Sequence, residues 1–258
     1  MKDFVGFWIL VNIYARLKLK SEALKTYLSY LWWLLEPALF VAAFYVVFAI
    51  ILDFRTADFV VFLVCGKIPY LWFSKSLTGA SGSIFAGREL LTNPSIRPEL
   101  FPMVDFFQNM YKQIVAFAAM LFFLLTQGYL PDWNWLLMPV VALVQIAFMM
   151  PLVLGSAWIS SLVPDIRMLI QIAVLMMLFL SGIFWDINEL DSPIREQVLF
   201  YNPLAFIIDA YRQVLLHQSQ PDWFHMVLLL SGSVLATVAM FALYRWSRYL
   251  IRTKVLYS

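Results

Sequence analysis

The chain has 258 residues, 63% of them hydrophobic and 13% charged, with a net charge of +2 and a mean hydropathy of +0.81. A soluble domain carries roughly 25% charged and about 45–50% apolar residues, so the surplus apolar surface must face lipid. A single cysteine, Cys65, and two histidines, His217 and His225, exclude an intramolecular disulfide and give no basis for a Cys or His metal cluster.

The first apolar run, Phe4–Ile13, is too short to cross a bilayer, and Tyr14-Ala15-Arg16 lacks a small-x-small cleavage pattern. Arg16, Lys18, Lys20 and Lys25 follow at once, which predicts an amphipathic interfacial helix within residues 1–30, lying along the inner leaflet among anionic headgroups. The same charges would serve equally as a retention signal for the first span. Six apolar segments then read as spans: Leu31–Leu52, Phe59–Ala80, Val104–Thr126, Trp135–Val163, Leu169–Phe184 and Trp223–Tyr244. The fourth carries Pro139 and Pro151, predicting a tilt or kink. The fifth is short and borrows flanking residues.

Charge sets the orientation. With the amino terminus inside, fourteen of eighteen basic residues but only seven of sixteen acidic ones fall on the inner side, making it +7 and the outer side −5. Lys and Arg are retained on the cytoplasmic side. The predicted fold is therefore an all-α integral membrane protein of six transmembrane helices across residues 31–246, N-in/C-in, with a basic cytoplasmic tail at 247–258.

Two connections stand out. Gly82–Met103, on the inner side, carries apolar Ile84, Phe85, Leu90 and Leu91 beside Arg88 and Glu89, predicting a short helix near Ser83–Thr92. Pro94, Pro98 and Pro102 then make a stiff return, which suits docking better than a loose linker. The other inner loop, Pro164-Asp165-Ile166-Arg167, is brief. On the outer side, Ser192-Pro193 opens one helix, while Asn202-Pro203 ends it and starts another. In that second helix Leu204, Ile207, Ile208, Tyr211 and Leu215 share one face. Two short outer-leaflet re-entrant helices within about 186–218 fit this pattern, as a pore mouth or as a packed cap.

No G-x-x-x-x-G-K-[ST] phosphate loop and no H-E-x-x-H site occurs, so the chain reads as a non-enzyme with no cofactor of its own. Any energy source must come from another polypeptide, and a dimer is expected because six spans make few pathways alone.

These features resemble the permease subunit of an ABC-2 type exporter, and more narrowly the Wzm-like and capsule-export permeases that move lipid-linked polysaccharides. The resemblance covers nearly the whole chain. It rests on Tyr30-Leu31-Trp32-Trp33-Leu34-Leu35-Glu36-Pro37, similar to the family's Y-L-W-x-x-L-x-P, and on Gly66-x-x-Pro69 with Trp72-Phe73. Phe101-Pro102, Tyr201-Asn202-Pro203-Leu204 and Tyr211-Arg212 follow in the family's order. Arg97-Pro98-Glu99-Leu100 departs from the basic-aromatic stretch usual before Phe-Pro. The resemblance implies a homodimer in the bacterial inner membrane, two ABC ATPase subunits that bind ATP and Mg, and an undecaprenyl-linked polysaccharide such as O antigen or capsule. Nothing points to nucleic acid. It also implies a coupling helix at about 83–100 using Ile84, Phe85, Arg88, Glu89 and Leu90, with Asp165 and Arg167 as a further ATPase contact.

Trp33, Phe40, Phe44 and Phe48 recur at intervals of 7, 4 and 4, forming one aromatic stripe. Aromatic faces stack on sugar C–H surfaces, so the stripe is a candidate channel lining; ordinary helix packing gives the same periodicity. On the resemblance, Tyr70 and Phe73 of span two and Gln171, Leu175 and Leu178 of span five join it. Glu36 and Lys75 lie at similar depths in spans one and two. An intramembrane charge costs about 2.5–3.5 kcal/mol, which predicts that they pair. Lys67 is expected to snorkel outward or to meet Asp209 or Asp186. The rival readings are an ABC-2 exporter of a drug or small lipid and a membrane assembly factor that moves nothing.

Overall fold

The computed structural model describes residues 2–25, 31–47 and 58–257. Among them there is no strand. The α-helices are α1 (Lys2–Leu24), α2 (Trp32–Tyr45), α3 (Phe59–Ala86), α4 (Leu100–Thr126), α5 (Met138–Leu162), α6 (Ile166–Leu180), α7 (Ser192–Tyr201), α8 (Pro203–Leu215) and α9 (Trp223–Tyr257). Three 3-10 turns, Arg88–Thr92, Trp133–Leu137 and Ile187–Glu189, join them.

Four of the described helical segments are long and apolar enough to cross a membrane: Phe59–Ala86, Leu100–Thr126, Trp133–Leu162 and Trp223–Leu256. The first and fifth predicted spans appear as α2, with 14 residues, and α6, with 15. Phe48 and the rest of the first predicted span to Leu52 lie outside the described residues, as do residues 26–30 of the predicted amino-terminal segment.

The bundle is built around α3. Of its most apolar stretch, 67% is buried, against 11% for the last helix. α2, α4, α5, α6 and α8 all pack on it, while α1 lies along α4 and α9 along α5. Lipid tails are as apolar as leucine, so helices in a bilayer are held by close packing and interhelical hydrogen bonds rather than by the hydrophobic effect. The neighbours of α3 supply such bonds to its backbone. Gln113 of α4 donates to the Ile68 carbonyl (3.3 Å) and Gln145 of α5 to that of Pro69 (2.9 Å). The Tyr211 hydroxyl of α8 in turn donates to Gln145 Oε1 (2.9 Å).

Local chemistry explains several boundaries. Pro139 falls in the first turn of α5, where a missing N–H costs nothing, so only Pro151 lies inside that helix. The Asp132 carboxylate accepts from the Asn134 and Trp135 backbone N–H groups and opens the turn before α5. Asn202 closes α7 and caps α8 by accepting from the Ala205 N–H (3.1 Å), with Pro203 beginning the new helix. Asp222 does the same for α9, accepting from the Phe224 N–H (2.9 Å); the His225 ring beside it holds its carboxyl below the usual range.

Four expectations need correction. The separate helix near Ser83–Thr92 is replaced by α3 running on to Ala86 and then a 3-10 turn, because helix geometry persists until Gly87. The 247–258 tail is helical through Tyr257: Tyr244, Ile251 and Val255 repeat at 7 and 4 and are all buried. α8 is buried on all sides, not on a single apolar face. Lys67 meets neither Asp209 nor Asp186; its ammonium sits 3.2 Å from the centroid of the Phe40 ring.

Lys67 is 3% exposed, and a second cation, Arg212, is buried still more fully, at 1%. It lies over the Phe62 ring (3.4 Å) and donates to the carbonyls of Gly182 (2.6 Å), Ile183 (3.2 Å) and Phe62 (3.3 Å). This fork ties α8 to α3 and to the segment after α6. Gly66 makes room for it, since a Cβ there would stand 2.6 Å from Arg212 Nη2. The guanidinium is pinned by three acceptors and cannot easily move aside. Gly66→Ala is expected to destabilise by about 1–3 kcal/mol. Arg212→Lys, which keeps the charge but loses the planar fork, is expected to destabilise by about 1–3 kcal/mol. Thermal unfolding of the detergent-solubilised protein measures both, and a wild-type midpoint for either would refute the clamp.

Candidate functional site

Two regions gather the predicted functional residues. The first is the end of the bundle where α3 passes into α4. Gly87 terminates α3, and the Phe101 ring lies so close to its Cα that no side chain would fit. The following 3-10 turn is anchored by buried Leu91, while Arg88, Glu89 and Leu90 project into solvent. Ile84 is buried in the core, and Phe85 lies under the Arg167 guanidinium (4.7 Å). Arg167 Nε also donates to the Ser81 carbonyl (3.1 Å), which fastens the brief loop before α6 to the end of α3. Asp165 stays exposed beside it. The two predicted coupling segments thus share one surface. Its exposed groups are Arg88, Glu89, Leu90 and Asp165, whereas Ile84, Phe85 and Arg167 hold it in shape.

A clasp from α9 stiffens this surface and was not foreseen. Arg248 donates to the buried Glu99 carboxylate (2.8 Å), and Arg252 donates to the Pro94 (2.6 Å) and Asn93 (3.3 Å) carbonyls. Spaced four apart at the end of a long helix, the two arginines looked like tail charges; their burial partners lie some 150 residues earlier in sequence. α1 braces the adjoining part of α4. Phe7, Val11 and Ala15 are buried against the core. Tyr111 Oη donates to Asn12 (2.7 Å), Lys112 Nζ to Glu22 (2.6 Å), Lys18 to Asp105 and Gln108 to Glu22. The opposite face of α1 exposes Val5, Ile9, Leu10, Ile13 and Leu17 with Arg16 and Lys20.

The second region is the aromatic flank. Phe40 and Phe44 of α2 stack on each other (4.5 Å), and Phe44 stacks on Phe184 beyond α6 (4.4 Å). Trp33 lies nearer the amino-terminal end of α2, with Lys112 Nζ 6.0 Å from its ring. Lys75 and Glu36 are joined by an ion pair between α3 and α2. The remaining channel candidates are dispersed. Tyr70 is buried and donates to the Val174 carbonyl (2.7 Å), and Phe73 is buried against Phe148. Leu178 packs into the same core, while Gln171 and Leu175 lie on the exposed face of α6. Tyr70, Phe73 and Leu178 therefore serve packing, whereas Trp33, Phe40 and Phe44 are half-buried and Gln171 and Leu175 exposed.

Known proteins place this arrangement. The chain is 24% identical over 83% of its length to the O-antigen export system permease protein RfbA of Myxococcus xanthus, covering 82% of that protein. Two O-antigen export system permease proteins RfbA of Klebsiella pneumoniae are 21% and 20% identical, each over 93% of both chains. This chain is similar to O-antigen export permeases over most of its length. No protein-family profile matches it. The similarity spans both regions described above, from the aromatic flank to the surface at the α3–α4 connection.

The pair between α2 and α3 makes a direct test of what fixes α2. Glu36→Ala and Lys75→Ala should each lower stability, and the double variant should lose less than the sum. A coupling of roughly 0.2–1 kcal/mol is expected because both side chains are partly exposed. Strict additivity in a double-mutant cycle on the purified protein would show that the pair contributes nothing.

Proposed function

We propose that this chain is the membrane-spanning permease subunit of an ABC exporter that moves a lipid-linked polysaccharide, of O-antigen or capsule type, across the bacterial inner membrane. The observation that carries it is the similarity to O-antigen export permeases over 83–93% of the chain, with several membrane-length apolar helices among the described residues.

In the full reading, α2 with the residues after it and α6 complete a set of six spans, both termini are cytoplasmic, and α1 lies in the inner interface. α7 and α8 form the outer re-entrant pair. Two copies assemble with two separate ATPase subunits, which bind the ATP and Mg. The glycan, carried on undecaprenyl, passes along the faces of α2 and α6, where Trp33, Phe40 and Phe44 offer aromatic surface.

The coupling step follows from the surface at the α3–α4 connection. A partner that pushes on Arg88, Glu89, Leu90 and Asp165 acts on a turn anchored by Leu91 and clasped by Arg252, so the load passes to α3, α4 and α9 rather than into a slack loop. Glu99, beneath it, is locked to Arg248.

Deletion of the gene should abolish surface glycan, and the tagged protein should bring down an ATPase. Full surface glycan in the deletion strain would overturn the reading. A finer test exchanges charges on the proposed docking turn: Arg88→Glu with Glu89→Arg should reduce export at least tenfold while leaving the thermal midpoint of the permease unchanged. Export at the wild-type rate would remove this turn from the coupling path. Cysteines placed at 88–90 should be labelled only from the cytoplasmic side.

A further inference from the structure

α5 and α9 are zipped together toward their carboxyl ends. Tyr244 donates to the Leu154 carbonyl (2.9 Å) and Trp158 Nε1 to Ser247 (2.9 Å). Nearer the start of α9 no such bond joins the two helices among the described residues, and a groove of about 680 Å³ opens between them. Phe148 and Leu152 of α5 form one wall, and Gly232 and Ala236 of α9 the other. A Cβ on Gly232 would meet nothing within 4 Å, so the groove is open there. The most apolar stretch of α9 is only 11% buried, so this side of the bundle faces hydrocarbon.

Length and charge together indicate what fills it. From His225 to Met240 the groove follows α9 for about 22 Å, at about 1.5 Å per residue. One leaflet offers about 15 Å of hydrocarbon and roughly 5–7 Å of headgroup region. The groove is one lipid long. At its His225 end the partly exposed Trp223 marks the interface, and the His225 ring stands beside Phe200 of α7 and Phe206 of α8 (centroids 5.8 and 5.4 Å). His225 Nδ1 lies 3.1 Å from Asp222 Oδ2, and the Asp222 side chain is 55% exposed. A carboxylate can only accept, so Nδ1 carries the hydrogen, and the neutral ring leaves Nε2 as an acceptor. That nitrogen is buried with no partner among the described residues. Glu196 lies one turn before Phe200 on the same face of α7. No lysine or arginine lines the groove among the described residues, and Arg195 lines a separate cavity with Gln213 and His217. Two carboxylates and an acceptor nitrogen call for a head that is positively charged and donates hydrogen.

We propose that the groove between α5 and α9 seats one phospholipid with an ethanolamine head, its ammonium facing Asp222 and His225 and an acyl chain lying along Gly232, Ser233 and Ala236. In the topology described above this lipid belongs to the outer leaflet. It is a resident of the fold, separate from any cargo, and it wedges α9 apart from the elbow of α7 and α8. Choline carries the same charge without an N–H, and a glycerol head leaves the phosphate charge unbalanced beside Asp222. Both fit this end less well.

The test counts lipid bound to the full-length protein by native mass spectrometry, titrating dioleoyl phosphatidylethanolamine, phosphatidylcholine and phosphatidylglycerol in turn. The first ethanolamine lipid should bind at least fivefold more tightly than either of the others. Asp222→Asn, which keeps a capping side chain, and His225→Phe, which keeps the ring packing, should each bring that preference below twofold. Gly232→Leu with Ala236→Leu fills the groove and should remove the tight site. An independent arm uses phosphatidylethanolamine with a photoreactive acyl chain, whose label should fall between Leu228 and Met240 of the unaltered protein. Equal affinity for the ethanolamine and choline lipids would overturn the proposal, as would wild-type binding in the filled variant or label confined to other helices. An unchanged preference in both head-end variants would do the same. None of these results bears on glycan export, which the deletion strain tests separately.

Discussion

The architecture depends on side chains that hydrogen-bond to the backbone of α3. A bilayer gives apolar helices no reason to prefer one another over lipid, so a bundle in that medium needs directional bonds to fix its partners. α3 supplies acceptors along its length. Arg212 reaches the Phe62 carbonyl, Gln113 that of Ile68, Gln145 that of Pro69, and Arg167 that of Ser81. Four different helices are thereby registered against one. One feature of the sequence makes this possible near the middle of α3: Gly66 removes the side chain that would keep Arg212 away.

The same principle separates the two ends of the molecule. At the α3–α4 connection, the bonds that tie it to the bundle run between elements far apart in sequence: Arg252 to the turn at 93–96, Arg248 to Glu99, and α1 to α4. A load applied to the exposed turn is shared among four helices before any one of them can bend. At the opposite end, α7 has no buried residue, whereas α8 is buried almost completely. The pair therefore consists of one buried helix and one lying on the surface, joined at Asn202 by a cap and a proline.

Much of this was legible in the sequence, because apolar runs and charge placement report directly on the solvent. The break at Asn202-Pro203 was readable because proline and an amide cap act locally. Equal depth in two helices and the cost of an isolated charge were enough to bring Glu36 and Lys75 together on paper. Arg212 was not legible in the same way. Its partners are carbonyl oxygens, which every residue has, so no complementary residue in the sequence marks where a cation will be received. Arg248 and Arg252 were misread for the same reason, with Arg252 bound to carbonyls and Glu99 hidden in a proline-rich return. Lys67 had acidic candidates and chose an aromatic ring instead. Of the stripe on α2, periodicity revealed the face, while only coordinates could show that Phe44 continues onto Phe184.

A last constraint follows from where the centre of the chain is filled. Tyr70, Phe73 and Phe148 close the core around α3, and Tyr244 seals α9 to α5 by donating to the Leu154 carbonyl (2.9 Å). A polymer cannot pass through such a bundle without breaking the bonds that define it. On the exporter reading, the path must therefore run along the outside of each copy and be enclosed only by a second one. Among the faces left for that purpose are those of α2, with Trp32 and Leu39 exposed, and of α6, with Leu169, Ile172, Leu175 and Met176 exposed. In lipid their exposure carries no penalty, which is why a permease can keep so apolar a surface uncovered until assembly. The Glu36–Lys75 ion pair, the Lys67 ammonium over the Phe40 ring and the Phe44–Phe184 stack hold α2 to the bundle, so opening by movement of α2 would exchange these contacts and leave the carbonyl bonds around α3 intact.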